Sequence, residues 1–188
     1  MSVSLAVTDA ERQACFGLRY RIYIEEQGRR PAAADHERRL DCNADDEGAI
    51  LLQARMAGEL VGTARVHHGR DTGIPAFLQE ACELTRRPDA PPLEHVAAIS
   101  RLAIDPAHRG SLVVVALFRA CFEVLHAEGR DTRLVIIVAL DQPGLPQMYQ
   151  ALGFRPVAPG RTCMTDLGPA TPMIATMRPR SPVRGDSP

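Results

Sequence analysis

Three arginines, Arg19, Arg65 and Arg101, accompany two carboxylates, Glu37 and Asp41, the latter pair in the charge-rich stretch 29–48. A guanidinium grips a carboxylate by donating two parallel hydrogen bonds, so the set can bind a carboxylate-bearing ligand and order that stretch. The same residues read as surface ion pairs, which stabilise little. His67, His68 and His95 are candidate bases, although an imidazole near a strand end is usually just solvated. Cysteines 15, 42, 82, 121 and 163 form no C-x-x-C and no spacing with His that suits zinc, so no metal is expected. They read as reduced, mostly buried thiols.

The balance of charge narrows the partners. A formal net charge of −1 leaves no basic excess to displace counterions, and with no Trp there is little to stack on bases, so nucleic acid is not expected. The amino terminus lacks a basic n-region, and the longest apolar runs, 112–118 and 134–140, are too short to cross a bilayer. The expectation is a soluble, cytoplasmic protein without a membrane partner.

The elements that must position these residues follow from pattern. Val3 to Val7 reads as a strand. Thr8 with Glu11 forms a capping box that starts a helix, which stops near Gly28 and Pro31. Residues 29–48 read as a loop, long enough to be a binding loop or lid. Segments 49–56 and 59–68 flank Ala57-Gly58 as a hairpin. A short helix over 74–84 precedes a stretch, 86–92, broken by three prolines. A strand over 95–104 follows, with Asp105-Pro106 closing it. Helix 111–129 carries a polar stripe at Arg119, Glu123, His126 and Arg130 and ends on Gly129. LVIIVAL (134–140) has no polar position, as in a strand covered on both faces. A helix over 144–152 ends at Gly153, Phe154 begins a strand, and 172–177 pairs with the sheet. The predicted fold class is α/β (α+β): a mixed, mainly antiparallel sheet flanked by helices on both faces. One domain spans 1–178, and the Pro- and Arg-rich 179–188 is a disordered tail.

Residues 96–155 resemble the core of the GNAT acyltransferases. There a strand, here ISRLAI, leads through a phosphate-binding turn, here HRGSLVV, into a helix, and MYQALGF (148–154) is similar to the family's Y-x-x-x-G-F. LRYRIYIEEQG and GELVGTARV resemble its first helix and its second and third strands. The resemblance implies transfer of an acyl group from a thioester to an amine. That chemistry needs a neutral amine, a stabilised oxyanion and a proton for the departing thiolate. By resemblance, the backbone of Leu102, Ala103 and Ile104 meets the thioester carbonyl and Tyr149 protonates the sulfur; the alternative for Tyr149 is packing on its helix. The phosphate turn keeps Arg109, Gly110 and Ser111 and continues through Val113. Leu112 and Val114 stand where the family has a glycine and a small residue, which weakens the grip on a nucleotide. The donor is therefore acyl-coenzyme A or the acyl-phosphopantetheine of an acyl carrier protein.

Within that superfamily the chain resembles the acyl-homoserine-lactone synthases and N-acyl amino acid synthases at Arg19, Tyr23, Arg65 and Ser100-Arg101, with Glu37 and Asp41 a loose counterpart of their acidic cluster. These six, Arg19, Tyr23, Glu37, Asp41, Arg65 and Arg101, are the implied acceptor-binding set. Two departures oppose a lactone synthase: Ala98 replaces the carboxylate of E-x-S-R, and the Trp after the aromatic position is missing. Glu94 lies four residues before Ala98, on the same strand face by the two-residue period, and is either a substitute base or a solvated residue at a strand start. The expected function is N-acylation of a small acceptor such as an amino acid. The alternatives are an ordinary acetyl-coenzyme A N-acetyltransferase and a non-catalytic GNAT-fold module that binds a ligand or partner. Acceptor identity, acyl length and oligomeric state stay open.

Overall fold

Helix α1 (Asp9–Tyr20) begins where its cap dictates. Thr8 Oγ1 accepts from the Glu11 amide at 3.3 Å, and the Glu11 carboxylate accepts from the Thr8 amide at 2.9 Å. These hydrogen bonds, the one from the Thr8 backbone foremost, bring the Glu11 pKa down to about 2. The helix does not stop at Tyr20 but widens into a π-helical turn, Arg21–Glu26. The computed structural model describes residues 1–127 and 130–177. Gly129, the boundary at 178 and the tail 179–188 lie outside the described residues.

Strands β1 (Ser2–Leu5), β2 (Ile50–Met56), β3 (Glu59–His68) and β4 (Val96–Ile104) form an antiparallel half-sheet. β4 then pairs in parallel with β5 (Leu134–Leu140), and β5 pairs antiparallel with β8 (Gly168–Thr176). β6 (Arg155–Pro156) and β7 (Cys163–Thr165) both pair with β8. The sheet is therefore mixed and mainly antiparallel, as the pattern predicts, with β4–β5 its parallel pair. β7 is an addition that the sequence pattern did not signal.

Side chains alternate along each strand, and the two faces fill separately. Leu52, Ala54, Ala97, Val135, Ile137 and Met173 pack with helix α3 (Val113–Leu125) and with Tyr149 of helix α4 (Leu145–Ala151). On the opposite face, Leu51 meets α1, while Val96, Leu134, Ile136 and Ile174 pack with helix α2 (Ala76–Ala81). Gly62 brings α3 close to β3: a Cβ there would stand 3.0 Å from Leu117 and Val113 side-chain atoms. Among the described residues, no helix is long and apolar enough to cross a membrane.

Residues 29–48 are less open than a free loop. Asp35 and Leu40 form a bridge, and a 3-10 turn, Ala44–Asp46, is capped by Asn43 with Asp46 reaching back to the Asn43 amide. Helix α3 starts at Val113 rather than 111. Glu94 lies in a 3-10 turn, Leu93–His95, and not on the strand.

Candidate active site

Strands β4 and β5 pair only from Val96–Leu134 to Ala98–Ile136. Beyond that point each follows its other neighbour. β4 stays on β3 as far as Ile104, and β5 stays on β8 as far as Leu140. Two features turn β4 away. Its register on β3 slips between Thr63 and Arg65, and Arg101 within that slip has φ +52°. An extra residue of this kind bends a strand and increases its twist. A cavity of about 1070 Å³ opens between the two strands. Leu102, Ala103 and Ile104 line one wall, and Val138 and Leu140 line the other.

One end of the cavity is bounded by Arg109 and Gly110 of the phosphate turn, by Val114, and by Tyr149 and Met148 of α4. Gly110 holds φ +73°, a conformation that favours glycine. Tyr149 is buried, its ring edge-on to Phe118 and Phe154 at centroid distances of 5.7 and 6.1 Å. Burial raises its phenol above the ordinary tyrosine range, so the hydroxyl keeps its proton at neutral pH. Tyr149 thus both packs in the core and lines the cavity.

The rest of the phosphate turn departs from expectation. Ser111 and Leu112 are exposed and off the cavity wall, and Ser111 Oγ accepts from the Val113 amide at 3.3 Å. Leu112 is 72% exposed, whereas Val113 is fully buried in the core. Their side chains do not face a donor, which corrects the expectation that the whole run 109–114 lines the site. Helix α3 begins there, so only Val114 of its first turn turns inward.

Polar residues gather on the opposite side, around β3 and β4. Arg65 donates from Nε to Ser100 Oγ at 3.0 Å and from Nη1 to Asn43 Oδ1 at 2.8 Å. It also pairs with Asp46 at 3.3 Å and Asp45 at 3.6 Å. Arg101 pairs with Asp166, and its Nε lies 3.9 Å from Asp41 Oδ2, with neither atom making a hydrogen bond. Arg65, Ser100, Arg101, Asn43, Asp45 and Asp166 all line the cavity. Tyr23, from the π-helical turn, donates to the Leu102 carbonyl at 2.7 Å. Burial, partly offset by Arg101 and Arg19, pushes its phenol up to about 12.

Arg19 and Asp41 lie behind this wall and not on it. Arg19 is fully buried, with Nη1 and Nη2 on the Asp46 carboxylate at 2.9 and 2.7 Å and Nε on the Asp41 carbonyl at 2.9 Å. The acidic partners of the three arginines are therefore Asp41, Asp45, Asp46 and Asp166. Glu37 is exposed and off the cavity, so its place in the set is corrected. Glu94 is corrected too: it sits on the surface, 3.4 Å from His95, away from the cavity. A 3-10 turn does not carry the strand's two-residue period, which removes the geometric ground for a base there. Asp45, Asp46 and Asp166 were missed by sequence reading; the Asn43-x-x-Asp46 capping pattern is the local signal that would have found the first two.

The profile of the N-acyl amino acid synthase FeeM family matches residues 14–176. The chain belongs to this family. It is accordingly an acyltransferase, and its fold is that of the GNAT N-acyltransferases. The structure of FeeM, an N-acyl amino acid synthase from uncultured soil microbes, is similar with a TM-score of 0.66 at 18% identity, covering 93% of this chain and 90% of that one. The acyl-homoserine-lactone synthase LasI gives 0.65 at 18%, over 93% and 89%. BjaI, a coenzyme A-dependent acyl-homoserine-lactone synthase solved with SAM and isopentyl-CoA, gives 0.67 at 18%, over 94% and 82%. No curated protein matches by sequence.

Proposed function

We propose that the enzyme transfers an acyl group from a pantetheine thioester to the amine of an amino acid, yielding an N-acyl amino acid and a free thiol. The observation that carries this reading is the continuity of the cavity. It joins Arg109, Gly110 and Tyr149 at one end to Arg65, Ser100 and Arg101 at the other, through a largely apolar passage between β4 and β5. The first end suits the phosphate and sulfur of a donor. The passage suits an alkyl chain, and the buried arginines and neighbouring carboxylates suit a zwitterion.

In this reading the acceptor nitrogen attacks the thioester carbon, and the unpaired edge of β4 at Leu102–Ile104 meets the oxyanion. Collapse forms the C–N bond and breaks the C–S bond. The nitrogen sheds two protons to solvent, one before attack and one after, and the sulfur takes one from Tyr149. The tyrosinate regains one from solvent, so amide, thiol and neutral Tyr149 result with one net proton released. Arg65 and Arg101 orient the acceptor carboxylate, with Asp45 and Asp166 drawing its ammonium toward the wall. The name of the family and of its FeeM member supports an amino acid as acceptor. The lactone synthase BjaI, solved with isopentyl-CoA, supports a branched acyl thioester over acetyl-coenzyme A as donor.

A thiol-release assay with acyl-coenzyme A and acyl-carrier-protein donors of several lengths, against a panel of amino acids and simple amines, tests the reading. Turnover that requires an α-carboxylate on the acceptor is expected. Release from neither donor across the panel overturns it, as does activity confined to acetyl-coenzyme A.

A further inference from the structure

The phosphate turn carries one guanidinium, and the protein itself occupies it. Arg109 donates from Nη1 and Nη2 to the two carboxylate oxygens of Glu26 at 2.5 and 2.7 Å, and from Nε to the Ile104 carbonyl at 3.3 Å. Hydrogen bonding to Glu26 raises the Arg109 pKa, and Asp105 adds a second negative charge nearby, with His108 3.7 Å from that carboxylate. The other arginines lining the cavity, Arg65 and Arg101, are held by Asp45, Asp46 and Asp166. All 22 basic residues of the chain are arginines, so no lysine stands in at the mouth.

Glu26 reaches Arg109 because α1 ends in a π-helical turn. Gln27, next in sequence, closes that turn by donating its amide to the Ile22 carbonyl at 3.1 Å. Its Oε1 accepts from Gln142 Nε2 at 2.8 Å. Glu26 and Gln27 thus bridge the two sides of the gap, one to the turn after β4 and the other to the loop after β5.

We propose that Glu26 determines donor selectivity, by holding Arg109 away from phosphate so that free coenzyme A is disfavoured relative to carrier-borne pantetheine. Coenzyme A brings a pyrophosphate and a ribose phosphate to this turn, and each meets a site whose cation is already neutralised. A carrier-borne arm brings a single phosphodiester, and its protein supplies contacts of its own. The exposed Leu112 beside Arg109, in place of a glycine, lowers the turn's hold on a nucleotide further. This inference rests on the proposed thioester donor, but binding of coenzyme A itself requires no turnover.

The test uses the full-length protein and its Glu26→Gln, Glu26→Ala and Glu26→Gln/Arg109→Ala variants. Titration calorimetry with unacylated coenzyme A should show about five-fold tighter binding by Glu26→Gln and Glu26→Ala, the size expected when a partly exposed ion pair is released. With acyl-coenzyme A the gain should fall on KM rather than kcat. KM for the acyl-carrier donor should change by less than about two-fold on the same scale. The double variant should lose the gain. Unchanged or weaker coenzyme A binding overturns the proposal, as does an equal gain for both donors or a gain that survives loss of Arg109. If the unmodified protein turned over neither donor, the functional reading would fall while the calorimetry still decided the role of Glu26.

Discussion

Tyr149 sits in an apolar wall, and burial keeps its phenol protonated. In the proposed reaction it is the proton donor to sulfur, and Tyr149→Phe removes that proton while keeping the ring against Phe118 and Phe154. Thiol release should slow by about a hundred-fold, the lower end of what a positioned acid contributes, with donor affinity unchanged by calorimetry. An unaltered rate removes Tyr149 from the mechanism. Asp46 serves a different end. It lies between two buried arginines, Arg19 and Arg65. Asp46→Ala removes the carboxylate they share, leaving Arg19 with Asp41 at 3.4 Å and Arg65 with the partly exposed Asp45 at 3.6 Å. Loss of one partner from a buried pair costs about 3–5 kcal/mol, measurable as a lower urea midpoint at unchanged slope. Burial works to raise the Asp46 pKa, but hydrogen bonds from Arg19 and the charges of Arg19 and Arg65 bring it from 3.8 down to about 2. The unfolded chain thus takes up the proton first. The associated stability, about 2 kcal/mol, is complete above about pH 4 and is lost as pH falls toward 2. Urea midpoints across that range should fall in the native protein and stay flatter in the variant.

Elements differ in how plainly the sequence announces them, and the reason is range. The Thr8–Glu11 capping box is a contact between residues three apart, so it is readable without the fold. Thr8→Ala should lower stability by about 1 kcal/mol, seen as a small shift of the thermal midpoint with activity retained. The π-helical turn after Tyr20 is decided elsewhere: Tyr23 is anchored on the Leu102 carbonyl, 79 residues away. The slip of β4 around Arg101 is likewise fixed by its pairing with β3, and its residue has no glycine to betray a positive φ. For the same reason Glu94 was placed on a strand that starts two residues later. Glu37 and Asp41 stand together as the loose counterpart of an acidic cluster after α1, but the chain turns at Asp35–Leu40, so Asp41 reaches Arg19 while Asp45 and Asp46 take the place of Glu37.

At the scale of the molecule, the decisive feature is a place where a sheet fails to close, and this left no trace in composition. LVIIVAL reads as a strand buried on both faces whether it is paired along its whole length or only to Ile136. Beyond that residue the β4-side backbone edge of β5 faces a space instead of a neighbouring strand, and Val138 and Leu140 become cavity wall. The same cavity is lined by Arg109 and Gly110 of the phosphate turn and by Phe77 and Leu78 of α2, which packs on the sheet face opposite α3. An acyl chain threaded there would meet Val138, on the β5 wall across from Leu102 and Ala103 of β4. Val138→Phe adds volume to the passage without touching Tyr149 or the arginines. Long-chain donors should lose about ten-fold or more in kcat/KM, since each methylene excluded from an apolar pocket is worth about 1–3 kcal/mol, while short-chain donors keep their rates. A thermal melt close to that of the native protein would show that the sheet tolerates the larger ring. An acyl-length profile unchanged by this substitution would place the chain outside the gap, and the sheet's failure to close would then need a different purpose.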